Sequence, residues 1–340
     1  MTDVYKSEGN ALASLRDLLN MLSNPFKGGD KVGIKLHWGE RGNKNFLPPM
    51  FAKEIASWLK EAGARPFVFD TTVLYSGGRR EADESLKTAA EHGFTEEYLG
   101  CPVLIGDGMD GRDVVDIPGA GKHFDTVQVA GIIPKTDGFV VLSHFKGHME
   151  ASFGGAIKNM SMGMASRAQK QRMHADAYPV LMPERCIRCG VCEEVCPTGA
   201  ATLPEDGDPV YDLDKCIGCA QCIALCPQSA LKIFWETDIS VFQEKLVETA
   251  ASVWKIIGPK TLIVNALIQI VAECDCVPGS HPKIAEDFGF VGGYHPVAVD
   301  EESLKTVGAE TFEKAHPAIP WQRQFSHARE IGFTPPEEQR

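Results

Sequence analysis

The chain has 340 residues, of which 44% are hydrophobic, and its formal net charge is −12. This length suits two domains or one large α/β domain with an insertion, and the acidic balance argues against nucleic acid and anionic membrane surfaces as partners. No apolar run is long enough for a membrane-spanning helix. Because the first twenty residues carry charges where a secretory signal needs an apolar stretch, we expect a cytoplasmic protein.

The first half of the chain alternates between apolar runs and helical patterns. Helix signals, a proline at the start and a glycine at the end, bound the segment 48–63. The predicted strands are 31–38, 65–72, 101–108 and 137–148, and the predicted helices are 48–63, 80–93 and 154–169. This β–α–β order predicts an α/β fold with an open, mostly parallel sheet and helices on both of its faces.

Ionisable residues follow the predicted strands at the ends where an open parallel sheet binds its ligands. Lys35 and His37 lie at the end of the first strand, and His144, Lys146 and His148 lie at the end of the fourth. A lone histidine at such a position is more often structural. Their shared position nevertheless predicts one site, and we take these five residues as catalytic candidates.

The segment SHFKGH (143–148) is the densest of these groups. On an extended chain its two histidines and its lysine point to one side, where they can bind an anion or, through the imidazoles, a metal. Gly154 and Gly155 then lead into a helix whose N-terminal amides can hold an anion, and Lys158 adds a positive charge one turn later. We take these three residues as candidates for cofactor binding, with a tight turn as the alternative explanation of the glycine pair.

Two cysteine runs follow, CIRCGVCEEVCP (186–197) and CIGCAQCIALCP (216–227). Each has the spacing C-x2-C-x2-C-x3-C-P, which is typical of bacterial ferredoxins with two [4Fe–4S] clusters. In that pattern three cysteines of one run and the fourth of the other run hold each cluster. The predicted ligand sets are therefore Cys186, Cys189, Cys192 and Cys226 for one cluster, and Cys216, Cys219, Cys222 and Cys196 for the other. Zinc sites are the alternative, but they usually use two separated C-x2-C pairs.

The segment 181–235 around these runs is predicted to be a small inserted ferredoxin-like α+β domain. The apolar stretches AATLP and ALKIF, one after each run, are predicted to be its edge strands. The segment carries four basic and eight acidic residues. An acidic face suits docking to a basic redox partner protein, and a solvated surface is the alternative explanation.

Beyond the insertion, a helix is predicted over 240–257. The apolar run 260–276 is predicted to return to the main sheet, because it is too apolar for an edge strand. Residues 1–180 and 236–340 are therefore predicted to form one discontinuous α/β domain.

The late apolar run ends in Cys274-Asp275-Cys276. On a strand both thiols face the same side, and a disulfide between such near neighbours would be strained. The pair can bind a further metal, shuttle redox equivalents or pack as small buried side chains, and the sequence leaves these alternatives open. We count both cysteines among the catalytic candidates, whereas Cys101, at the start of an apolar strand, is predicted to be core.

Five segments together resemble one known family: KLHWGERGNKNFLPP, SHFKGH, GGAIKNMSMG, CDCVPG and HPVAVDEES. They occur in this order between residues 30 and 305, and they resemble the family called domain of unknown function 362 (DUF362). Because members often carry a bacterial-type ferredoxin, the resemblance implies an α/β binding scaffold with two [4Fe–4S] clusters. The family is similar in part to the nickel-pincer lactate racemase superfamily, which implies a small-molecule or cofactor site.

The first functional hypothesis is an iron–sulfur oxidoreductase, which passes low-potential electrons from two [4Fe–4S] clusters to a small-molecule or cofactor site in the α/β domain. The alternative is an electron carrier or activating factor that reduces a partner protein or a metallocofactor and has no substrate site of its own. A third hypothesis is the handling of a metal by Cys274 and Cys276. No G-x-G-x-x-G follows the first strand and the sequence has no Walker A motif, so bound NAD(P) and ATP are not favoured.

Overall fold

The computed structural model describes residues 3–9, 12–175, 178–235 and 238–336 of the chain. The strands in these residues are, in chain order, β1 (Val4–Glu8), β2 (Lys31–Lys35), β3 (Arg65–Asp70), β4 (Val103–Ile105), β5 (Val114–Pro118), β6 (Thr126–Ala130), β7 (Gly138–His144), β8 (Lys146–His148), β9 (Ser152–Gly154), β10 (Ala201–Thr202), β11 (Val210–Tyr211), β12 (Thr261–Leu267) and β13 (Gly289–Gly293). The α-helices are α1 (Leu12–Met21), α2 (Pro49–Glu61), α3 (Ala82–Glu91), α4 (Glu96–Leu99), α5 (Ala156–Met164), α6 (Arg167–His174), α7 (Val191–Glu194), α8 (Gln221–Leu225), α9 (Ile239–Ile257), α10 (Pro296–Val307), α11 (Ala309–Ala315) and α12 (Gln322–Glu330).

The main sheet has seven strands in the order β1-β13-β12-β7-β2-β3-β4. The five strands from β12 to β4 run parallel, and β13 and β1 add two antiparallel strands at one edge. In the centre, Val141 of β7 pairs with Lys35 of β2 on one side and with Ile263 of β12 on the other. The predicted α/β fold with a mostly parallel sheet is therefore confirmed.

The central strands are apolar on both faces because helices cover both sides of the sheet. All seven residues of β7 and all seven of β12 are buried, as expected for strands inside a parallel sheet. Adjacent residues point to opposite faces, so Val140 packs in a cluster with residues of α1 and α2, whereas Val141 packs in a cluster with residues of α5, α9 and α12. Each strand thus contributes to two separate cores.

Two predicted elements are divided in the structure. The predicted strand 137–148 leaves the main sheet after His144, and β8 pairs with β9 in a separate hairpin. The predicted helix 154–169 is interrupted after Met164, and the side chain of Ser166 begins α6 by accepting a hydrogen bond from a backbone amide of its first turn. The short hairpin and the start of α5 both come to line the edge of the sheet where β2 and β7 end.

The late apolar run 260–276 is a strand only as far as Leu267. Gln269 then adopts a positive φ of 51°, which an extended strand does not allow, and its amide donates a hydrogen bond to the Asp287 carboxylate at 2.7 Å. Cys274 and Cys276 consequently lie in a loop, and the expectation that they end a strand is wrong. The strands β1 and β13 and the β5–β6 hairpin were not predicted.

The cysteine-rich segment 181–235 contains one short helix in each run, α7 and α8, and the small β10–β11 sheet. The prediction of a strand in AATLP corresponds to β10. The prediction of a strand in ALKIF is wrong, because this stretch forms a single bridge from Leu231 to Leu181. The last strand of the main sheet before the segment is β7 and the first one after it is β12, and these two strands are neighbours in the sheet. The division into domains stays a prediction. No helix among the described residues is both long and apolar enough to cross a membrane.

Candidate functional site

A cleft of about 390 Å³ opens at the carboxyl ends of β2, β3 and β7, which is a size typical of small-molecule sites. Parallel strands bring the residues that follow them to one edge of the sheet. Every candidate residue outside the cysteine runs lines this cleft: Lys35, His37, His144, Lys146, His148, Gly154, Gly155, Lys158, Cys274 and Cys276. The structure therefore brings these residues together, and their catalytic roles stay predictions.

A buried ion network forms the floor of the cleft. The Asp70 carboxylate, at the end of β3, lies 2.9 Å from Nζ of Lys35 and accepts a hydrogen bond of 2.6 Å from Nη2 of Arg79. Burial alone would raise the pKa of Asp70, but the two positive charges outweigh it and hold this pKa well below its usual range. Lys35 also donates to Oδ1 of Asn159 at 2.9 Å, and burial lowers its own pKa. Lys35 thus already has partners for its charge.

His37 lies beside this network. Its Nδ1 accepts a hydrogen bond of 2.9 Å from the amide of Gly39, and its Nε2 lies 2.6 Å from Nη1 of Arg79. Burial and the nearby guanidinium lower the pKa of His37 to about 3. The ring is therefore neutral at physiological pH, and it lacks the second ring proton that a general acid would donate.

His144 and Lys146 both contact the carboxylate of Asp275. Nδ1 of His144 lies 2.9 Å from Oδ1, and Nζ of Lys146 lies 2.9 Å from Oδ2. The other ring nitrogen of His144 lies 2.8 Å from the carbonyl oxygen of Ile268. With both ring nitrogens engaged, His144 holds the loop that carries the two cysteines instead of presenting a free proton donor to the cleft.

Cys274 and Cys276 occupy a turn that is closed by a hydrogen bond of 2.9 Å from the Val277 amide to the Cys274 carbonyl oxygen. Sγ of Cys274 lies 3.4 Å from Nζ of Lys158 and accepts a hydrogen bond of 3.4 Å from the Cys276 amide. The hydrogen bond from the Cys276 thiol, together with the charge of Lys158, holds the pKa of Cys274 well below its usual range. The same hydrogen bond and burial raise the pKa of Cys276. The surroundings therefore favour the thiolate form at Cys274 more than at Cys276.

His148 completes the surroundings of the Cys274 sulfur. Its Nδ1 accepts hydrogen bonds of 3.2 Å from the amides of Glu150 and Ala151, which leaves the proton of the neutral ring on Nε2. Burial lowers the pKa of His148, and the charge of Lys158 lowers it further. His148 also hydrogen-bonds the Cys274 side chain, so it acts as a neutral donor to the sulfur.

The N-terminal amides of α5 are already hydrogen-bonded to a carboxylate within the chain. Two of its amides, those of Ala156 and Ile157, donate to the Asp300 carboxylate at 2.7 and 2.9 Å. A Cβ at Gly155 would lie 2.3 Å from Oδ1 of Asp300, so the glycine is needed for the approach of this side chain. The first amides of α5 thus already bind a carboxylate of the chain itself, and the role of Gly154, Gly155 and Lys158 in cofactor binding stays a prediction.

The sequence analysis did not select several residues that line the cleft. His174 packs with its ring centroid 4.6 Å from that of Trp235 and 4.9 Å from that of Phe242, and together they form an apolar wall. Further lining residues that were not selected are Tyr75, Arg79, Asn159, Met162 and Lys170. The basic pair in GGRRE, shortly after β3, was a signal for Arg79, but nothing near Trp235 in the sequence indicates the cleft.

The eight cysteines of the two runs line two further small cavities. One is lined by Cys186, Cys189, Cys192 and Cys226, and the other by Cys216, Cys219, Cys222 and Cys196. These are the two crossed sets. Backbone amides also donate to the sulfurs in equivalent positions, at 3.2 Å from Ala200 to Cys196 and at 3.2 Å from Ala230 to Cys226. Each cavity is therefore lined by four thiols, at least one of which accepts a hydrogen bond from a backbone amide.

Within the described ranges, no three His, Cys, Asp or Glu side chains form a group that could hold a single metal ion. Ligands to one zinc ion converge on it at about 2.3 Å, whereas thiolates around a cube are spread over its corners.

The cysteine-rich segment lies directly against the wall of the cleft. The guanidinium of Arg80 donates a hydrogen bond of 2.6 Å to the carbonyl oxygen of Leu74, a residue that lines the cleft. It donates a second hydrogen bond, of 3.0 Å, to the carbonyl oxygen of Cys226. The side chain of Leu74 also packs with Ala224 and Ile233 of the cysteine-rich segment. The cavity that contains Cys226 is thus separated from the cleft by a few residues, and the sheet does not stand between them.

Comparisons with known proteins concern mainly the fold. A family model described as domain of unknown function (DUF362) matches residues 32–305, and none of the curated proteins matches this chain. The structure of the lactate racemase apoprotein from Thermoanaerobacterium thermosaccharolyticum aligns with 12% identity and a TM-score of 0.41, over 88% of this chain and 55% of that chain. A protein from Thermotoga maritima aligns with 12% identity and a TM-score of 0.48, over 91% of this chain and 59% of that chain. The chain thus spans a little more than half the length of both structures.

Proposed function

This chain belongs to the DUF362 family, and we propose that it is an iron–sulfur redox protein that passes low-potential electrons from two [4Fe–4S] clusters to a small molecule or cofactor in the cleft. The observation that carries the proposal is the pair of cavities, each lined by four cysteines in the crossed pattern. When bound, clusters of this type supply single electrons. The cysteines that would hold them are Cys186, Cys189, Cys192 and Cys226 in one cavity, and Cys216, Cys219, Cys222 and Cys196 in the other.

The position of the cleft supports it as the acceptor site. Arg80 joins the backbone of Cys226 to the backbone of Leu74 in the cleft wall. Trp235, the last residue of the cysteine-rich segment, lines the cleft itself. Since electron transfer needs donor and acceptor close together, this contact favours transfer into the cleft.

The lining of the cleft indicates the kind of molecule it takes. The cleft is lined by the positively charged Lys158 and by the apolar side chains of Met162, Trp235 and Phe242. A molecule with an apolar body and an anionic group complements this lining. Lys158, beside the Cys274 sulfur, is the residue placed to hold or donate a proton there.

A second candidate function is an electron carrier or activating factor for a partner protein. Ile187 and Ile217, each directly after the first cysteine of a run, are 60% and 67% exposed. Exposed apolar side chains beside a redox centre, on a segment with an acidic surplus, suit the docking of a basic redox partner. Under the first proposal the same surface admits electrons from a donor protein.

Iron and sulfide analysis after anaerobic reconstitution tests the cluster assignment. We expect about eight irons and about eight sulfides per chain, and a reduced EPR signal from two interacting clusters. Saturation at about four irons, or zinc in place of iron, would contradict the assignment.

Native mass spectrometry of the anaerobically purified protein tests the cleft. A Met162→Trp variant fills the cleft and should lose a bound small molecule while it keeps its iron. The matched control is Met21→Trp, since Met21 is exposed and does not line the cleft, and it should keep both. Full iron content with no molecule bound to the wild type or the control favours the electron-carrier function.

A further inference from the structure

Cys274 and Cys276 face the same cleft from one turn, and nothing in the proposed function uses both. We propose that they are a redox-active thiol pair that exchanges with an organic disulfide in the cleft, so that the substrate class of the cleft is a disulfide. This inference deepens the proposed function and rests on it for the source of electrons that returns the pair to the dithiol form.

The turn brings the two cysteines closer together than a strand would. On a strand the Cα atoms of residues i and i+2 lie about 6.6 Å apart, twice the rise per residue, near the upper limit of about 6.8 Å for a disulfide. The hydrogen bond from Val277 to Cys274 closes a turn at this point, and a turn shortens the separation. Close, locally strained disulfides are also the ones that are readily reduced, as a reversible pair requires.

The same turn is fixed at its middle residue. The side chain of Asp275 is held by His144 and Lys146 at 2.9 Å each, and its carbonyl oxygen accepts a hydrogen bond of 2.8 Å from the amide of Glu40. These contacts keep both thiols at the cleft, so His144 and Lys146 are positioning residues for the pair.

The two sulfurs have different surroundings, and this difference assigns their roles. Cys274 has Lys158 and the Cys276 amide at 3.4 Å from its Sγ, which favours the thiolate and makes it the attacking sulfur. Cys276, the other thiol of the turn, becomes the resolving sulfur. Because Cys274 is only 3% exposed, it reacts with molecules that have entered the cleft.

The exchange balances without a further reagent. Sγ of Cys274 attacks one sulfur of R–S–S–R, an S–S bond forms to Cys274, and the first R–S⁻ leaves. Sγ of Cys276 gives its proton to that thiolate and attacks Sγ of Cys274, which closes the Cys274–Cys276 disulfide and releases the second R–S⁻. The organic disulfide gains two electrons and the pair loses two. Reduction of the pair then breaks its S–S bond with two electrons, supplied under the proposed function by the bound clusters, and one proton, which returns to Cys276.

Equilibration with glutathione tests the thiol pair in the full-length, cluster-loaded protein. The protein is incubated anaerobically with defined ratios of oxidised to reduced glutathione, alkylated and mapped by peptide mass spectrometry. We expect a Cys274–Cys276 disulfide that forms and disappears reversibly with the ratio. A Cys276→Ser variant should accumulate glutathione on Cys274, whereas a Cys274→Ser variant should leave Cys276 largely unmodified.

Two controls separate this chemistry from general thiol reactivity. Burial raises the pKa of Cys101 to about 11, so this thiol should stay unmodified, and Cys101→Ser should leave the exchange unchanged. Lys158→Met should slow the alkylation of Cys274 at pH 7 by about tenfold or more and move its pH profile upward, because the thiolate loses its nearest positive charge. Lys158→Arg should restore most of the rate.

The outcome that overturns the inference is the absence of a Cys274–Cys276 disulfide at every glutathione ratio, in protein with an unchanged circular dichroism spectrum. A Lys158→Met variant with the wild-type pH profile of alkylation also overturns it. The iron content of the same samples reports on the proposed function separately. Full iron content without the disulfide contradicts only the inference about the thiol pair. A reversible disulfide in protein that binds no iron supports that inference and contradicts the clusters as its source of electrons.

Discussion

The Asp275 carboxylate lies 2.9 Å from Nδ1 of His144, a residue 131 positions earlier in the chain. This contact joins the end of β7 to the loop after β12. Both partners are almost fully buried, and Lys146 contacts the second carboxylate oxygen. Two of the three ionisable residues of SHFKGH thus hold the loop that carries Cys274 and Cys276 in place.

The first prediction concerns Asp275→Asn. The change leaves Lys146 buried without its carboxylate, and breaking a buried ion pair in this way costs about 3–5 kcal/mol. Urea unfolding should therefore show a large loss of stability. The thiol of Cys276 should also be alkylated faster in the folded variant than in the wild type, because the turn is no longer fixed. Glu302→Gln is the matched control: Glu302 pairs with Lys6 at 2.7 Å on the surface, and such pairs contribute about 1 kcal/mol or less. Equal losses in both variants would contradict the structural role of Asp275.

Acid stability provides the second prediction. The pKa values of Asp70 and Asp275 lie below the usual range in the folded protein, because positive neighbours outweigh the effect of burial. Unfolded aspartate has a pKa of about 3.9, so both carboxylates contribute stability that is fully present well above this pH. That stability is lost as the pH falls through this value towards the folded pKa values. Urea midpoints measured from about pH 7 down to about pH 3 should fall less steeply for Asp70→Asn than for the wild type. Parallel curves would show that Asp70 is not the carboxylate responsible.

The crossed cysteine sets give the third prediction. Cys226 lines the cavity of the first run, and Cys196 lines the cavity of the second. Each serine variant at these positions should therefore damage the cluster whose three other ligands lie in the opposite run. Mössbauer and EPR spectra of Cys226→Ser and Cys196→Ser should show loss of different clusters, with about half of the iron retained in each. Cys101→Ser should retain all of it. If each variant lost the cluster of its own run, the crossed assignment would be wrong.

The fold class could be predicted because the central strands are buried on both faces and leave continuous apolar runs in the sequence. The edge where the cleft lies followed from the same runs, since Lys35 and His144 each end a parallel strand. The partners of these residues could not be predicted. Asp300 meets the start of α5 from 144 positions away, and a sequence pattern carries no information about such a pairing.

The loop that carries the two cysteines shows a second limit. The run up to 276 is apolar because Ile270 and Val271 are buried, and a buried loop has the same composition as a buried strand. Two residues after the end of β12, the backbone of Gln269 adopts a positive φ. Glutamine does not signal such a conformation in the sequence, as a glycine or an asparagine would. Local propensity therefore predicted a strand where tertiary packing determines a turn.

Arg80 gives the fourth prediction, about the contact between the cleft and the cysteine-rich segment. Its guanidinium is buried and donates to backbone carbonyl oxygens on both sides of that contact. Arg80→Met leaves both oxygens without this donor, so hydrogen exchange of the amides in α8 and in 226–235 should become faster. Arg112→Met is the control, because Arg112 also reaches this segment, through Glu194 at 2.7 Å, but both side chains are exposed. Equal hydrogen-exchange rates in the two variants would contradict the prediction that Arg80 is the main contact between the cleft and the cysteine-rich segment.

The last prediction tests whether the cysteine-rich segment is an insertion in one domain. A chain that ends at residue 235 lacks β12, and this leaves the edge of β7, all of whose residues are buried, open to solvent or to another chain. We expect such a protein to aggregate or to lose its near-ultraviolet circular dichroism. The amide of Lys232 donates to the carbonyl oxygen of Val180 at 2.9 Å, so the two ends of the segment lie side by side. A short glycine–serine linker in place of residues 181–235 should therefore give a folded protein with one cooperative unfolding transition. A stable, monomeric fragment 1–180 would show instead that the first part of the chain is a domain of its own, and that β12 joins it without being needed for its fold.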